Sequence, residues 1–374
     1  MRPDTDLSRL IDALLEPAHT RSMSAGEWNS LLRTARRFGL AARLAHELRA
    51  GNLWETVPPR AHQHLNAAAL ACLSTHTAVD FELDRAWRAL ARAGLDVPLV
   101  LMKGGAYLAA GLAASRGRMI GDLDLMVPRE RVGEVEAVLT QAGWRAAPVD
   151  DYDEHYYREW MHEIPPLTHP QRQTPIDLHH TILPLTGRIQ PDAAALHADA
   201  VALPGGRLKV LAPADMVLHG AVHLFHAESA HPLRDLFDQR ELMTGFGTDA
   251  AFWPALVDRA RLHGLQRTLF YTLRYTGQIF ALAVPSHVAA AVGPWGPPAP
   301  MRWLMDWLLL AHLLGTGERA GVFARAGHWL AGALLLARSH WLKMPPAMLA
   351  RHLTRKTFKR WATWREARRQ ARAA

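Results

Sequence analysis

Apolar residues recur at three- and four-residue intervals through most of the first 95 positions, in "LSRLIDALL", "EWNSLLRTARRFGLAARLAHELRAG" and "FELDRAWRALARAG". That period marks helices buried on one side. Gly51 and Gly94 stand where helix C-terminal caps fall, and Pro58-Pro59 interrupts the run between helices. The pattern then changes. "VPLVLM" (97–102) is a short unbroken apolar run suited to a buried strand, Lys103-Gly104-Gly105 breaks it, and "AYLAAGLAA" reads as helix again. "RMIGDLDLMVP" (118–128) is a second strand, and "RERVGEVEAVLTQAG" is a helix held between Pro128 and Gly143. "WRAAPV", parts of 155–169 and "TPIDLHHTIL" (174–183) read as further strands. Beyond Pro213 the helical period returns in "ADMVLHGAVHLFHA", "LRDLFDQRELM" and "AAFWPALVDRARLHG". "GPWGPPAP" (293–300) is a linker by composition, and Trp- and Leu-rich helices follow it. The order predicts an α+β fold: an N-terminal helical region (1–95), a core with a small mixed sheet (96–212), a helical domain (213–292), and a last segment of linker, helices and tail (293–374). No internal repeat is visible.

The second strand carries the chemistry. Asp122 and Asp124 sit in an otherwise apolar run. At i and i+2 on a strand they project to one side, while Leu123 and Leu125 pack the other way. Two like charges side by side repel unless a cation lies between them. A divalent oxygen-loving ion resolves the conflict, since Mg²⁺ takes one or two carboxylates together with substrate phosphates. Two solvated aspartates at a strand end, with Gly121 as the bend, are the simpler alternative. Lys103-Gly104-Gly105, between a strand and a helix, offers free backbone N–H groups and a point charge of the kind a phosphate needs. Asp177 in "PIDLHHTIL" supplies a third carboxylate, and alternation puts His179 beside it as a base or an orienting group. His180 points the other way, as a packed residue.

Strand-KGG-helix, then R-x-x-G-D-L-D-L-x-V, then I-D-L-H on a later strand, resembles the DNA polymerase β-type nucleotidyltransferase superfamily, and more narrowly a family of uncharacterised bacterial nucleotidyltransferases with a Lys-Gly pair in the first motif. The resemblance covers 96–212 and extends into "LAPADMVLHGAVHLFHA…LRDLFD". It implies a polymerase β-type core with flanking helical regions. Asp122, Asp124 and Asp177 would bind two Mg²⁺ or Mn²⁺ ions, with Asp177 also activating the acceptor. Lys103, Gly104 and Gly105 would hold the phosphates of a nucleoside triphosphate such as ATP, and Arg118 would steady phosphate charge or brace the carboxylates. Lys103 departs from the glycine of the broad superfamily. The implied reaction is in-line attack of a small-molecule or protein acceptor on the α-phosphorus, with pyrophosphate leaving. The rival class is a non-catalytic relative that binds a nucleotide or a partner.

Composition narrows the remaining classes. The chain has 374 residues, 49% of them hydrophobic, and a single cysteine, Cys72, which excludes an internal disulfide framework and Cys-based zinc sites and fits a cytoplasmic, reducing setting. The start lacks the continuous apolar core of a signal peptide. The net charge of +8 is local: Arg351 to Ala374 holds nine Lys/Arg and one Glu, and the rest holds 34 basic and 34 acidic residues. A neutral core without a basic, aromatic-interleaved groove argues against nucleic acid. "RWLMDWLLLAHLL" and "HWLAGALLLARSHWL" are each short of a bilayer span. They either pack on the helical domain or, with the basic tail at 351–374, lie on the anionic inner face of a membrane.

His219, His223 and His226 share one helical face at i, i+4 and i+7, a polar lining for a nucleotide cleft or a zinc ligand set. Asp235 and Asp238 follow, sharing that cleft or pairing with nearby arginines.

Overall fold

The computed structural model of the chain describes residues 5–148, 150–206, 208–226, 229–315 and 321–351, with Thr354, Arg355, Trp361, Arg365 and Arg368 beyond them. Four helices come first: α1 (Thr5–Leu15), α2 (Ala25–Arg37), α3 (Ala41–Ala50) and the 34-residue α4 (Pro59–Arg92). Ser24 and Glu27 close a capping box at the start of α2. Pro59 opens α4, where its missing N–H has no helical partner to lose.

The mixed segment runs β1 (Val100–Leu101), α5 (Lys103–Ala109), β2 (Leu123–Met126), α6 (Val132–Gln141), β3 (Arg145–Ala146) and α7 (Asp151–His155), which continues into a π-helical turn at Tyr156–Trp160. It ends with β4 (Leu167–Thr168), β5 (Pro175–His179), α8 (Ala193–Ala198), β6 (Val201–Ala202) and β7 (Lys209–Val210). These strands form one mixed seven-stranded sheet in the order β3-β4-β5-β2-β1-β7-β6. The central strand β2 runs parallel to β5 and antiparallel to β1. Helices α9 (Pro213–His226), α10 (Pro232–Phe246), α11 (Phe252–Leu262), α12 (Gln266–Phe280), α13 (Ser286–Val292), α14 (Ala299–Leu314) and α15 (Val322–Lys343) follow, and residues 346–351 are helical as well. The fold is mixed α+β, as the hydrophobic periods predicted.

Two apolar cores meet at α9. Met216, Val217 and Val222 pack toward the sheet with Leu101, Leu123 and Leu125. Ala221, Leu224 and Phe225 of the same helix pack with α1–α3, α12 and α14. The helices before and after the sheet therefore share one core. That arrangement fixes α9 and α10 over the sheet. The approach is close: at Gly117 (φ +67) a Cβ would come within 2.5 Å of the Arg43 backbone, so only glycine lets this loop turn against α3. Arg43 itself is buried there and donates to the carbonyls of Ala113 and Arg116.

Three local expectations change. Lys103-Gly104-Gly105 does not separate strand from helix but forms the first turn of α5, with Lys103 at φ +46. The 155–169 stretch is strand only at Leu167–Thr168. Its first part coils so that Trp160 meets Tyr156, Tyr152 and His155 edge-on. The apolar run 97–102 pairs as a strand only at Val100–Leu101. Among the described residues no helix is long and apolar enough to cross a membrane. The basic tail lies almost wholly outside them.

Candidate active site

Asp122 stands just before β2, and Asp124 is inside it, between the fully buried Leu123 and Leu125. The parallel register pairs Asp124 with Asp177 and Met126 with His179. Register partners on neighbouring strands share a face, and i and i+2 do so along one strand. Pairing therefore brings Asp122, Asp124, Asp177 and His179 to one side of the sheet. The Met102 N–H donates to the Asp124 carbonyl at 3.1 Å, and this bond sets the entry to α5 directly beside them.

Asp124 is the node. Its side chain is buried, and Oδ1 accepts from Lys103 Nζ at 2.5 Å and from His179 Nε2 at 3.0 Å. Burial alone would raise this carboxyl, but the Lys103 ammonium and the His179 bond outweigh it and hold it well below the usual range. Burial likewise opposes the Lys103 charge, and the Asp124 carboxylate keeps it protonated. The other two acids go the opposite way. Burial, then the charge of Asp124, pushes Asp122 up. The same two causes take Asp177 up to about 7.

Asp177 Oδ1 is buried without a hydrogen-bond partner. An orphaned carboxylate oxygen beside two further acids, with one of them already drawn to a lysine, is a donor set that fits a hard divalent cation. Asp124, Asp177 and His179 each offer a ligand atom within 4.8 Å of the others.

The glycines of the first motif have a packing role. A Cβ on Gly104 would lie 3.0 Å from Arg118 Nη1 and 3.1 Å from Ile120, and one on Gly105 would touch Leu123. They let α5 lie against the loop that carries Asp122. By helix geometry the N–H groups of Lys103, Gly104 and Gly105 have no partner one turn back, since the first such bond runs from Ala106 to Met102.

Arg118 is placed away from the carboxylates of β2 and β5. Its Nε donates to Asp238 Oδ2 at 2.7 Å, Nη2 lies 3.6 Å from Asp235 Oδ1, and the guanidinium sits over the Tyr107 ring. Burial works against its charge, but Asp238 and Asp235 secure it. Asp238, buried beside it, still rises to about 6. Asp235 is further tied to Arg234 and to the Ser229 hydroxyl. This cluster clamps the loop before β2 onto α10.

The three histidines of α9 have three different surroundings. His219 is buried near Lys103, Asp124 and His179, and burial, then Lys103, pushes it well below the ordinary imidazole range. His223 Nδ1 lies 3.6 Å from Asp235. His226 accepts or donates to Thr268 in the core and is pushed down to about 3, first by burial. They belong to neither of the two potential metal-ligand groups among the described residues. His180 is buried and pushed down to about 4, again first by burial.

Two residues beside the site had no sequence signal, His162 and Glu163. Backbone bonds from Ile164 to Leu178 and from His180 to His162 lay this segment along the end of β5. Glu163 pairs with His179 in an isolated bridge. A lone His-Glu before "IPPL" has neither period nor spacing to mark it.

The model of a family described as uncharacterised nucleotidyltransferase matches residues 24–281. That range holds the sheet, all the carboxylates above and helices α2 to α12. No curated protein and no solved structure matches the chain.

Proposed function

The chain belongs to the uncharacterised nucleotidyltransferase family, and we propose that it moves a nucleoside monophosphate from a nucleoside triphosphate to a small-molecule or protein acceptor on a polymerase β-type core. The observation that carries this reading is the register pairing of Asp124 with Asp177, with Asp122 at the mouth of β2 and a lysine bonded to Asp124. Asp122, Asp124 and Asp177 would hold Mg²⁺ or Mn²⁺. Such an ion supplies charge neutralisation at the phosphates and at the attacking and leaving oxygens. His179, donating through Nε2, fixes the orientation of Asp124. Lys103 and the free N–H groups of the α5 first turn meet the triphosphate. Asp177, whose carboxyl sits near 7, takes the acceptor hydroxyl proton. The acceptor oxygen bonds to the α-phosphorus as the bond to the bridging oxygen breaks, and pyrophosphate leaves.

Transfer of an α-labelled nucleotide, dependent on Mg²⁺ or Mn²⁺, tests the proposal against acceptor extracts and against the protein itself. The Lys103–Asp124 pair is the feature that favours the rival reading, a relative that binds nucleotide without turnover. Metal-dependent binding with no label transferred would select that reading.

Asp177 gives a pH prediction. Its carboxyl is raised from the ordinary 3.8 to about 7. Between these values the folded protein holds a proton that the unfolded chain releases, so this group favours folding as pH falls from 7 toward 4 and opposes it above 7. Asp177→Asn is expected to abolish transfer. In cation-free buffer at pH 8 it should stabilise the protein by on the order of 1–3 kcal/mol, and at pH 4.5 by much less. Chemical denaturation at the two pH values reads the difference.

Contact with an anionic membrane surface is a separate proposal, independent of the reaction. α15 is 22 residues long, buries only Ala331 and Ser339, and carries Arg325, Arg338 and Lys343 without one acidic residue. With α14 it leaves Trp303 (78% exposed), Phe323 (94%) and Trp329 (72%) in solvent. Exposed aromatic residues beside the exposed Arg325, on a helix without an acidic residue, suit a lipid headgroup layer. The full chain is expected to float with vesicles containing phosphatidylglycerol and not with pure phosphatidylcholine. Trp303→Ser with Trp329→Ser, or deletion of 351–374, should abolish this. A full-length protein that ignores anionic vesicles, or that is a dimer through this face, sinks the idea.

A further inference from the structure

His179 faces two ways. Its Nε2 lies 3.0 Å from Asp124 Oδ1, and a carboxylate only accepts, so Nε2 carries the hydrogen. In the neutral ring Nδ1 then presents a lone pair. That atom is buried without a hydrogen-bond partner, yet it lies 3.4 Å from Glu163 Oε2, which is also an electron-pair donor. Glu163 Oε2 is also 3.8 Å from His162 Nε2. The His162 and His179 rings lie 5.3 Å apart, and the three ligand atoms fall within 4.8 Å of one another. Three potential ligand atoms converge here, and a cation between them would turn their mutual contact into a favourable one.

We propose that His162, Glu163 and His179 form a second divalent-cation site that takes a borderline transition ion of the Zn²⁺ class. Spacing supports it. Two ligands at about 2.1 Å on a tetrahedral ion lie ~3.4 Å apart, against 3.4 and 3.8 Å here. The chemistry of the donors supports it too. Two imidazoles and one carboxylate suit Zn²⁺, Co²⁺ or Mn²⁺ over Mg²⁺, which prefers an all-oxygen shell. The Asp124–His179 bond is the arrangement in which a ligating histidine donates its other N–H to a carboxylate, which fixes the ring and strengthens the ligand. Finally, the site is built before any ion enters. β5 carries His179, and the two backbone bonds at Ile164 and His180 hold His162 and Glu163 against it. The hard carboxylate set lies on the Nε2 side of one imidazole and the nitrogen-rich set on its Nδ1 side. The inference stands whether or not the protein transfers nucleotides.

Untagged, metal-stripped full-length protein titrated with Co²⁺ tests it, because Co²⁺ with imidazole ligands in a four-coordinate site absorbs visible light. In a large excess of Mg²⁺, which occupies the carboxylate set, one Co²⁺ per chain with this absorption is expected, displaced by Zn²⁺. His162→Ala and Glu163→Gln should each weaken Co²⁺ binding by roughly tenfold to a hundredfold or more. Asp122→Asn, outside this set, should leave it within about threefold. Glu163→Gln changes one half-buried atom, and circular dichroism confirms the fold of both variants. Absence of a Co²⁺ spectrum, a spectrum unchanged in both variants, or one lost in Asp122→Asn and chased by Mg²⁺ would overturn the proposal.

Discussion

Asp124→Asn is expected to lower nucleotide transfer by roughly 10²–10³-fold or more and, unlike a change at Asp122 or Asp177, to destabilise the protein as well. The two effects have different causes. Activity falls because the carboxylate at the centre of the cation set is lost. Stability falls because Lys103 Nζ, held at 2.5 Å by Asp124, is left beside a neutral amide in a largely buried pocket. Breaking one half of such a pair costs about 3–5 kcal/mol when fully buried, and somewhat less here because the lysine keeps some solvent contact. The double variant Lys103→Met with Asp124→Asn removes both charges, so it should recover most of the stability and none of the activity. Denaturant unfolding and the transfer assay on the same three proteins separate the roles. A single variant that keeps its activity contradicts the assignment of Asp124.

The second large effect is structural. Arg118→Met leaves Asp238 and Asp235 facing each other on α10 without the guanidinium between them, although Asp235 keeps Arg234. The expected loss is ~3–5 kcal/mol near pH 8. Burial already lifts Asp238 to about 6 with the arginine present. Without it the charged form is costlier, so Asp238 holds its proton to higher pH in the variant, and the defect should shrink as pH falls toward 6 and level off below it. Arg118→Lys keeps a charge but not the two-pronged contact and should recover only part of the loss. A pH-independent defect would mean that Arg118 acts through packing on Tyr107 and Gly104 alone. Activity should fall in proportion to the loosening of the loop before β2. Beside the expectation that this arginine steadies phosphate charge or braces the carboxylates, its contacts with Asp238 and Asp235 tie the loop before β2 to α10.

How much of this was legible in the sequence follows from what carries each contact. The acid pair in "GDLDL" and the acid in "PIDLH" stand out because carboxylates are costly inside apolar runs, and alternation gives their direction. Periodicity likewise separates the helical flanks from the mixed segment. The register that makes Asp124 and Asp177 partners is a pairing between strands 50 residues apart, roughly, and no local pattern encodes it. The same holds for Lys103 on Asp124: a lysine after a strand reads as a phosphate ligand, and only the left-handed turn at φ +46 bends it back to the acid. Gly104 and Gly105 read as part of a phosphate-holding turn, and their close packing against Arg118, Ile120 and Leu123 is a second role that no spacing announces. His219, His223 and His226 share one helical face, but the elements packed around α9 give each a different neighbour. His162 and Glu163 are placed by backbone bonds to the end of β5, which no spacing announces.

The central claim is that Asp122, Asp124 and Asp177 together with Lys103 bind a nucleoside triphosphate and a divalent cation. Thermal unfolding of the full chain with ATP, CTP, GTP and UTP, each with and without Mg²⁺, tests this most directly. At ligand near 100 times its dissociation constant the stabilisation is about 2.7 kcal/mol, or a few degrees in Tm. The account predicts that shift for at least one nucleotide only when Mg²⁺ is present, and its loss in Asp122→Asn. No shift with any of the four nucleotides, or the same shift in Asp122→Asn, would contradict it.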